Sequence, residues 1–210
     1  MATPGEVAIR PLVSTDVPAA ARALAAAFDT DPLIRFLYPT PRRRRMTSCH
    51  FFAAMMRDAL PFGEVHTAFI RDTVVGTTVW LPPGTYPPGP RREFRLILAS
   101  VSSVLSWSRL PEQLRYLAEV PKHHLEARHW YLALAGVHPT WQSTGIGRAL
   151  LDPVHARLDA AGEVAFLETQ TPSNVGWYGR QGYDVLEEFQ PCTDGPVLWT
   201  LSRSPRPPLV

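Results

Sequence analysis

The apolar positions change period as the chain advances. "EVAIRP" reads as a short strand, and behind it Val17, Ala20, Leu24 and Phe28 recur at helical spacing, with Ser14 or Asp16 placed to cap the helix they predict. A second helix is expected over Met46–Leu60. "EVHTAFIRD" and "TVVGTTVWLPPG" then read as two strands turning at Asp72 and Thr73 and halted at Pro82, Pro83 and Gly84, which makes a hairpin. After the Pro-rich segment Pro82–Pro90, the residues Phe94, Ile97, Leu98, Val101, Val104 and Leu105 return to helical spacing, with "PEQLRYLAEV" as a shorter sequel. An inserted helical arm over roughly residues 87–129 follows from this pattern.

"HWYLALAGV" and "EVAFLETQ" are short apolar runs. Between them lies an amphipathic helix whose stripe is Ile146, Leu150, Val154 and Leu158 and whose stop is Gly162. Two such runs flanking a helix predict neighbouring strands buried on both faces and joined by a crossover. Pro153 lies inside this helix, so a kink about two turns in is expected. "YDVLEEFQ" and "PVLWTLSR" supply two closing strands before a Pro-rich tail over 205–210. The fold class is α/β (α+β), with a mixed, mostly antiparallel central sheet flanked by helices. Residues 1–204 are expected to form one domain that includes the helical insertion.

Composition narrows the function classes. With 210 residues and 45% apolar content the chain can fill a core of ordinary size. Lys and Arg total 21 against 19 Asp and Glu, and a net charge of +2 gives no field suited to a polyanion, so no nucleic-acid partner is expected. "PRRRR" at Pro41–Arg45 reads as a solvated helix face. Cys49 and Cys192 stand apart from any metal-ligand or disulfide pattern, which fits reduced thiols in a cytoplasmic protein. No apolar run approaches the ~18 residues of a membrane span. His124 and His129 are five apart, not the four that place two ligands on one helix face, and no metal is expected.

The candidate chemistry begins at "GVHPTWQSTGIGRAL", where the first apolar run gives way to the amphipathic helix. Backbone N–H groups at a helix start near Gly145 would bind an anion. A dinucleotide loop fits poorly, because Leu150 fills the third small position and a seven-residue loop separates the glycines from Val137, although Glu168 lies at a tempting distance for a ribose contact. A triphosphate loop fails for want of a Gly-Lys-Ser or Gly-Lys-Thr.

The stretch "VHPTWQSTGIGRALL" resembles the pyrophosphate loop of the GNAT (GCN5-related N-acetyltransferase) family. Its pattern is Gln or Arg, two residues, Gly, one residue, then Gly or Ala, and Gln142, Gly145 and Gly147 fill it. "LETQTPSNVGWYGRQGYDVL" is similar to the family's second signature, with Asn174, Tyr178 and the pair Gly182-Tyr183 in place. "FLET" and the early "AAAFDTDP" look most like small-molecule acetyltransferases of the puromycin N-acetyltransferase kind. The resemblance implies a sheet splayed between its fourth and fifth strands and acetyl-coenzyme A as co-substrate. Val137, Gln142, Ser143, Thr144, Gly145, Ile146, Gly147, Arg148 and Asn174 would hold it, with the Val137 main chain a plausible oxyanion donor.

Tyr178 would be the general acid, or else a core aromatic. Glu168 would be the general base, or else an ion-pair or strand-end partner. Asp31 could meet a cationic acceptor or cap its own turn, and Trp80, Tyr86 and Trp107 could line an acceptor cavity or pack the interior. The implied activity is acetyl transfer to a primary amine of a small molecule by direct attack in a ternary complex. A protein or peptide acetyltransferase and a non-catalytic acyl-coenzyme A sensor are the alternatives, and a homodimer is a possible assembly.

Overall fold

A computed structural model describes residues 7–101 and 109–206; Trp107, residues 1–6 and the end of the tail lie outside them. Seven strands form one sheet in the order β1-β2-β3-β4-β5-β7-β6. β1 (Val7–Pro11), β2 (Glu64–Ile70), β3 (Thr73–Leu81) and β4 (His129–Val137) pair antiparallel in turn. β5 (Val164–Thr169) runs parallel to β4, and β6 (Asp184–Phe189) and β7 (Leu198–Arg203) close the sheet with β7 between β5 and β6.

Two layers of helix cover the sheet. On one side lie α1 (Val17–Ala27), α2 (Pro32–Leu37) and α3 (Pro41–Ala59), which join α5 (Leu110–Glu119) around the largest core cluster, including Leu24, Phe52, Met56 and Tyr116. α4 (Pro90–Val101) docks on α3, where the Arg92 Nε sits 2.5 Å from Asp58 Oδ2. On the other side α6 (Ile146–Ala161) and α7 (Pro172–Arg180) bury Leu151, Val154, Leu158 and Tyr178 against Leu132, Ala165 and Leu167. The β2–β3 hairpin turns through Arg71 and Asp72, both with positive φ, as a two-residue loop requires.

The local differences from the sequence reading have physical causes. Ser14–Asp16 form a 3-10 turn, and Asp16 makes no capping bond because its carboxylate pairs with Arg10 at 2.8 Å. α3 starts at Pro41 and takes in the arginine run, which is not wholly solvated. Arg44 is buried and donates to the carbonyls of Tyr38, Asp29 and Pro39, pinning the segment between α1 and α3. α6 continues through Pro153, which removes one helical bond to the Ala149 carbonyl, and ends at Gly162 with φ +67°.

The feature that positions the site is an interruption. The β4–β5 ladder runs from His129↔Val164 to Leu132↔Leu167 and stops there, while β4 stays paired with β3 as far as Val137. Beyond Leu132 the two parallel strands diverge, as expected for a sheet splayed between its fourth and fifth strands.

Candidate active site

A cavity of about 640 Å3 opens at the divergence. Its walls come from the end of α1 (Ala27, Phe28) and the following loop (Thr30, Asp31), from Ala135–Val137 of β4, and from the loop and helix start Trp141–Arg148. α7 and the turn before it contribute Thr171, Ser173, Asn174, Trp177, Tyr178 and Arg180.

The hydrogen-bond phase of β4 decides which way its backbone points. The His138 N–H donates to the Val75 carbonyl at 2.8 Å, so Gly76 and Val137 form a non-hydrogen-bonded pair. Val137 therefore directs both its N–H and its C=O away from β3, into the gap. Its carbonyl accepts a bond from Gln142 Nε2 at 3.0 Å, which folds the loop back on the strand and leaves the Val137 N–H facing the cavity.

The loop itself is built to bind an anion. Ser143 (φ +62°) and Gly145 (φ +90°) take left-handed conformations, and backbone reversals of this kind gather N–H groups into a concavity. At Gly145 a Cβ would meet nothing within 4 Å, so conformation and not crowding calls for glycine there. Gly145 caps α6 without a side-chain bond, and the N–H groups of Ile146, Gly147 and Arg148 have no partners one turn back, at the positive end of a 16-residue helix. At Gly147 a Cβ would stand 3.2 Å from the Trp177 ring, so that glycine lets α7 come close. Thr144 turns its hydroxyl inward to the Trp141 carbonyl.

Asn174, on α7, donates to Thr169 Oγ1 at 3.2 Å. One turn on, Tyr178 is buried against Trp177 and Tyr183, with no hydrogen-bond partner for its hydroxyl among the described residues. Burial pushes its pKa up, so the phenol stays protonated and able to donate. Of the two roles weighed for Asp31, the turn cap is the one observed. Oδ1 caps α2 by accepting from the Leu33 and Ile34 N–H groups, Oδ2 accepts from the Thr171 hydroxyl at 3.1 Å, and the residue still lines the cavity. Burial raises its pKa against the opposing effect of those bonds.

Glu168 and Trp80 stand apart from the cavity wall. Ala165 and Leu167 pack toward α6, so alternation along β5 sets Glu168 on the opposite face. Its Oε1 lies 3.2 Å from His124 Nδ1, and its Oε2 accepts from the Tyr131 hydroxyl at 3.2 Å. Trp80 is fully buried beneath α6, its ring 5.8 Å from His155, and it lines no part of the cavity. Its expected place facing an acceptor is thereby corrected: β3 is buried on both faces, so alternation could not say which side Trp80 took. Tyr86 packs with Tyr131 and His124 beside a small void of about 40 Å3 on the α3–α4 side.

Several cavity residues belong to no motif in the sequence. Trp177 could have been found, because it lies three residues after Asn174 on the same helix face. Thr30 and Thr171 carry no local signal, since a contact between residues 140 apart, the Thr171–Asp31 hydrogen bond, joins their two loops at the cavity. Among the described residues no group of three or more His, Cys, Asp or Glu side chains is arranged to hold a metal ion, and no helix is long and apolar enough to cross a membrane.

Comparison with known proteins agrees with this geometry. Residues 120–195 match the model of the acetyltransferase (GNAT) domain. Among solved structures, the chain superposes on an acetyltransferase of Corynebacterium glutamicum related to histone acetyltransferase HPA2, with a TM-score of 0.69 and 22% identity over 98% of this chain and 99% of that one. It is similar to arylalkylamine N-acetyltransferase 2 of Aedes aegypti, at TM-score 0.63 and 11% identity over 95% and 99% of the two chains. The PaiA N-acetyltransferase of Thermoplasma acidophilum, solved in complex with coenzyme A, gives 0.56 and 12% over 94% and 98%. At these identities the structures establish a shared fold.

Proposed function

We propose that the protein transfers an acetyl group from acetyl-coenzyme A to a primary amine of a small molecule, a reading supported by the match of residues 120–195 to the acetyltransferase (GNAT) domain and by a fold shared over nearly the whole length with solved acetyltransferases. The observation that carries this reading is the gap beyond Leu132, where the Val137 N–H and the open N-terminus of α6 face one cavity. A pyrophosphate fits the N–H groups of residues 142–148, with the Arg148 and Arg180 side chains at the same wall to oppose its charge. An extended amide-bearing arm fits the unpaired side of Ala135–Val137, beside Asn174.

Bound there, acetyl-coenzyme A supplies an activated acetyl group. The residues around it divide the remaining work. The Val137 N–H is placed to donate to a carbonyl oxygen in the gap, where a fixed donor stabilises developing negative charge. Tyr178, protonated and without another partner, donates a proton to the departing sulfur. Glu168, on the opposite face of the sheet and outside the cavity wall, would take the proton of the attacking amine through an intervening water, and Asp31, at the mouth between α1 and α7, attracts a cationic acceptor. The helices α4 and α5 wall that face, which favours a small acceptor over an extended peptide.

Thiol release from acetyl-coenzyme A across a panel of amines tests the reading. Turnover should appear with at least one small primary amine, and Tyr178→Phe should lower kcat by about 100-fold or more while calorimetric affinity for coenzyme A stays within about twofold. Turnover confined to peptide amines would make the protein a peptide acetyltransferase. Tight coenzyme binding without turnover on any amine would make it a sensor.

A further inference from the structure

A line of buried polar groups runs behind Glu168. The His124 and Glu168 side chains are 6% and 7% exposed, with His124 Nδ1 3.2 Å from Glu168 Oε1. His124 Nε2 lies 2.9 Å from His129 Nε2, and His129 Nδ1 lies 2.6 Å from the Ala127 carbonyl. Glu168 belongs to β5, His129 to β4, and His124 follows a 3-10 turn at the end of the insertion.

The proton positions follow from one fixed point. A carbonyl only accepts, so His129 must carry its proton on Nδ1. Burial, foremost, holds the His129 pKa down, and the ring is neutral with Nε2 bare. The bare Nε2 can only accept, so His124 must donate from its own Nε2. His124 Nδ1 and Glu168 Oε1 are then left with one proton between them: either the imidazolium donates to the carboxylate, or the carboxylic acid donates to a neutral imidazole.

We propose that His124 is a positioning residue for the transfer reaction: held in one orientation by His129, which is itself fixed by the Ala127 carbonyl, it shares a proton with Glu168 and keeps that carboxylate aimed. The inference rests on the reading of Glu168 as the base. The titratable groups facing the pair are His129 and Tyr131 from β4 and Tyr86 from the loop before α4, with Tyr116 of α5 near enough to feel the Glu168 charge. None of the three tyrosines ionises in the working range, because burial raises each of them.

The test is the pH profile of kcat/KM for an amine that turns over. Removing the shared proton in His124→Asn should move the acid limb of the profile upward by about 1–3 pH units, with coenzyme A affinity unchanged. Glu168→Gln should lower kcat by about 100-fold or more. If Glu168→Gln leaves the rate intact, the base assignment falls. If Glu168→Gln is slow but His124→Asn leaves the limb in place, only the role of His124 falls. Should His124→Asn fail to fold, 15N spectra of the imidazoles in the native protein decide the matter. A neutral His129 protonated on Nδ1 beside a His124 bearing a proton on Nε2 supports the proposal, and a His129 protonated on Nε2 overturns it.

Discussion

His155 shows how a single buried group ties stability to pH. Its Nε2 lies 3.0 Å from the Tyr183 hydroxyl beneath α6, and its ring stands edge-on to Trp80. Burial, helped by the positive charges of Arg203 and Arg206, pushes its pKa down to about 4, against 6.5 for an ordinary histidine. The folded protein is thus reluctant to bind a proton that the unfolded chain accepts readily. Stability contributed by the neutral ring is complete above pH 6.5 and is lost as pH falls toward 4, by about 3 kcal/mol in all. Urea unfolding at pH 7 and pH 4.5 should show this loss, and His155→Gln should flatten it. At this scale the site was partly legible. Asn174 and Tyr178 are fixed by their spacing, whereas the contacts of Glu168 with His124 and Tyr131 depend on parallel strand pairing between segments about 40 residues apart, which no local pattern records.

Among the elements, α6 carries the most of the proposed chemistry, and it was the best forecast, because its apolar stripe, its two glycines and its stop at Gly162 are all local signals. The helix is anchored at its far end by a bidentate pair, with Arg203 of β7 donating to both oxygens of Asp159 at 2.7 Å. That bond holds the Asp159 carboxyl below the usual range. Anchoring one end keeps the other in place at the gap. Gly147→Glu sets a carboxylate at the anion-binding end and crowds Trp177. Coenzyme A binding should weaken by at least ~10-fold, since one unfavourable charge pair at short range costs more than ~1.4 kcal/mol in a partly enclosed site; calorimetry on protein with an unchanged circular dichroism spectrum measures it. α2 and the full length of α3 were harder to foresee. Six residues are too few to show a period, and Arg44 looks like surface until the carbonyls it binds are known.

For the molecule as a whole, the order of strand and helix was readable because each apolar run is bounded by Pro, Gly or charge, but the sheet order was not, since β7 inserts between β5 and β6 through a long-range pairing. Net charge is small, so attraction for a phosphorylated ligand must be local, from Arg148, Arg180 and the α6 terminus. Affinity for coenzyme A should therefore fall as salt rises from 50 to 500 mM, and the fall should be shallower in Arg180→Ala, a dependence read from titrations at several ionic strengths.

The divergence of β4 and β5 also bears on how long the protein lasts in a cell. Half of a sheet seam lies open in the middle of the molecule, and an open strand edge is a place where chains unravel, stick together or are cut by proteases. A ligand that lies along that seam acts as a removable strand, and at 100 times its dissociation constant it adds about 2.7 kcal/mol to stability. The melting temperature should climb with coenzyme concentration, and protease resistance with it. Supply of the donor would then govern how much of this protein survives as well as how fast it works.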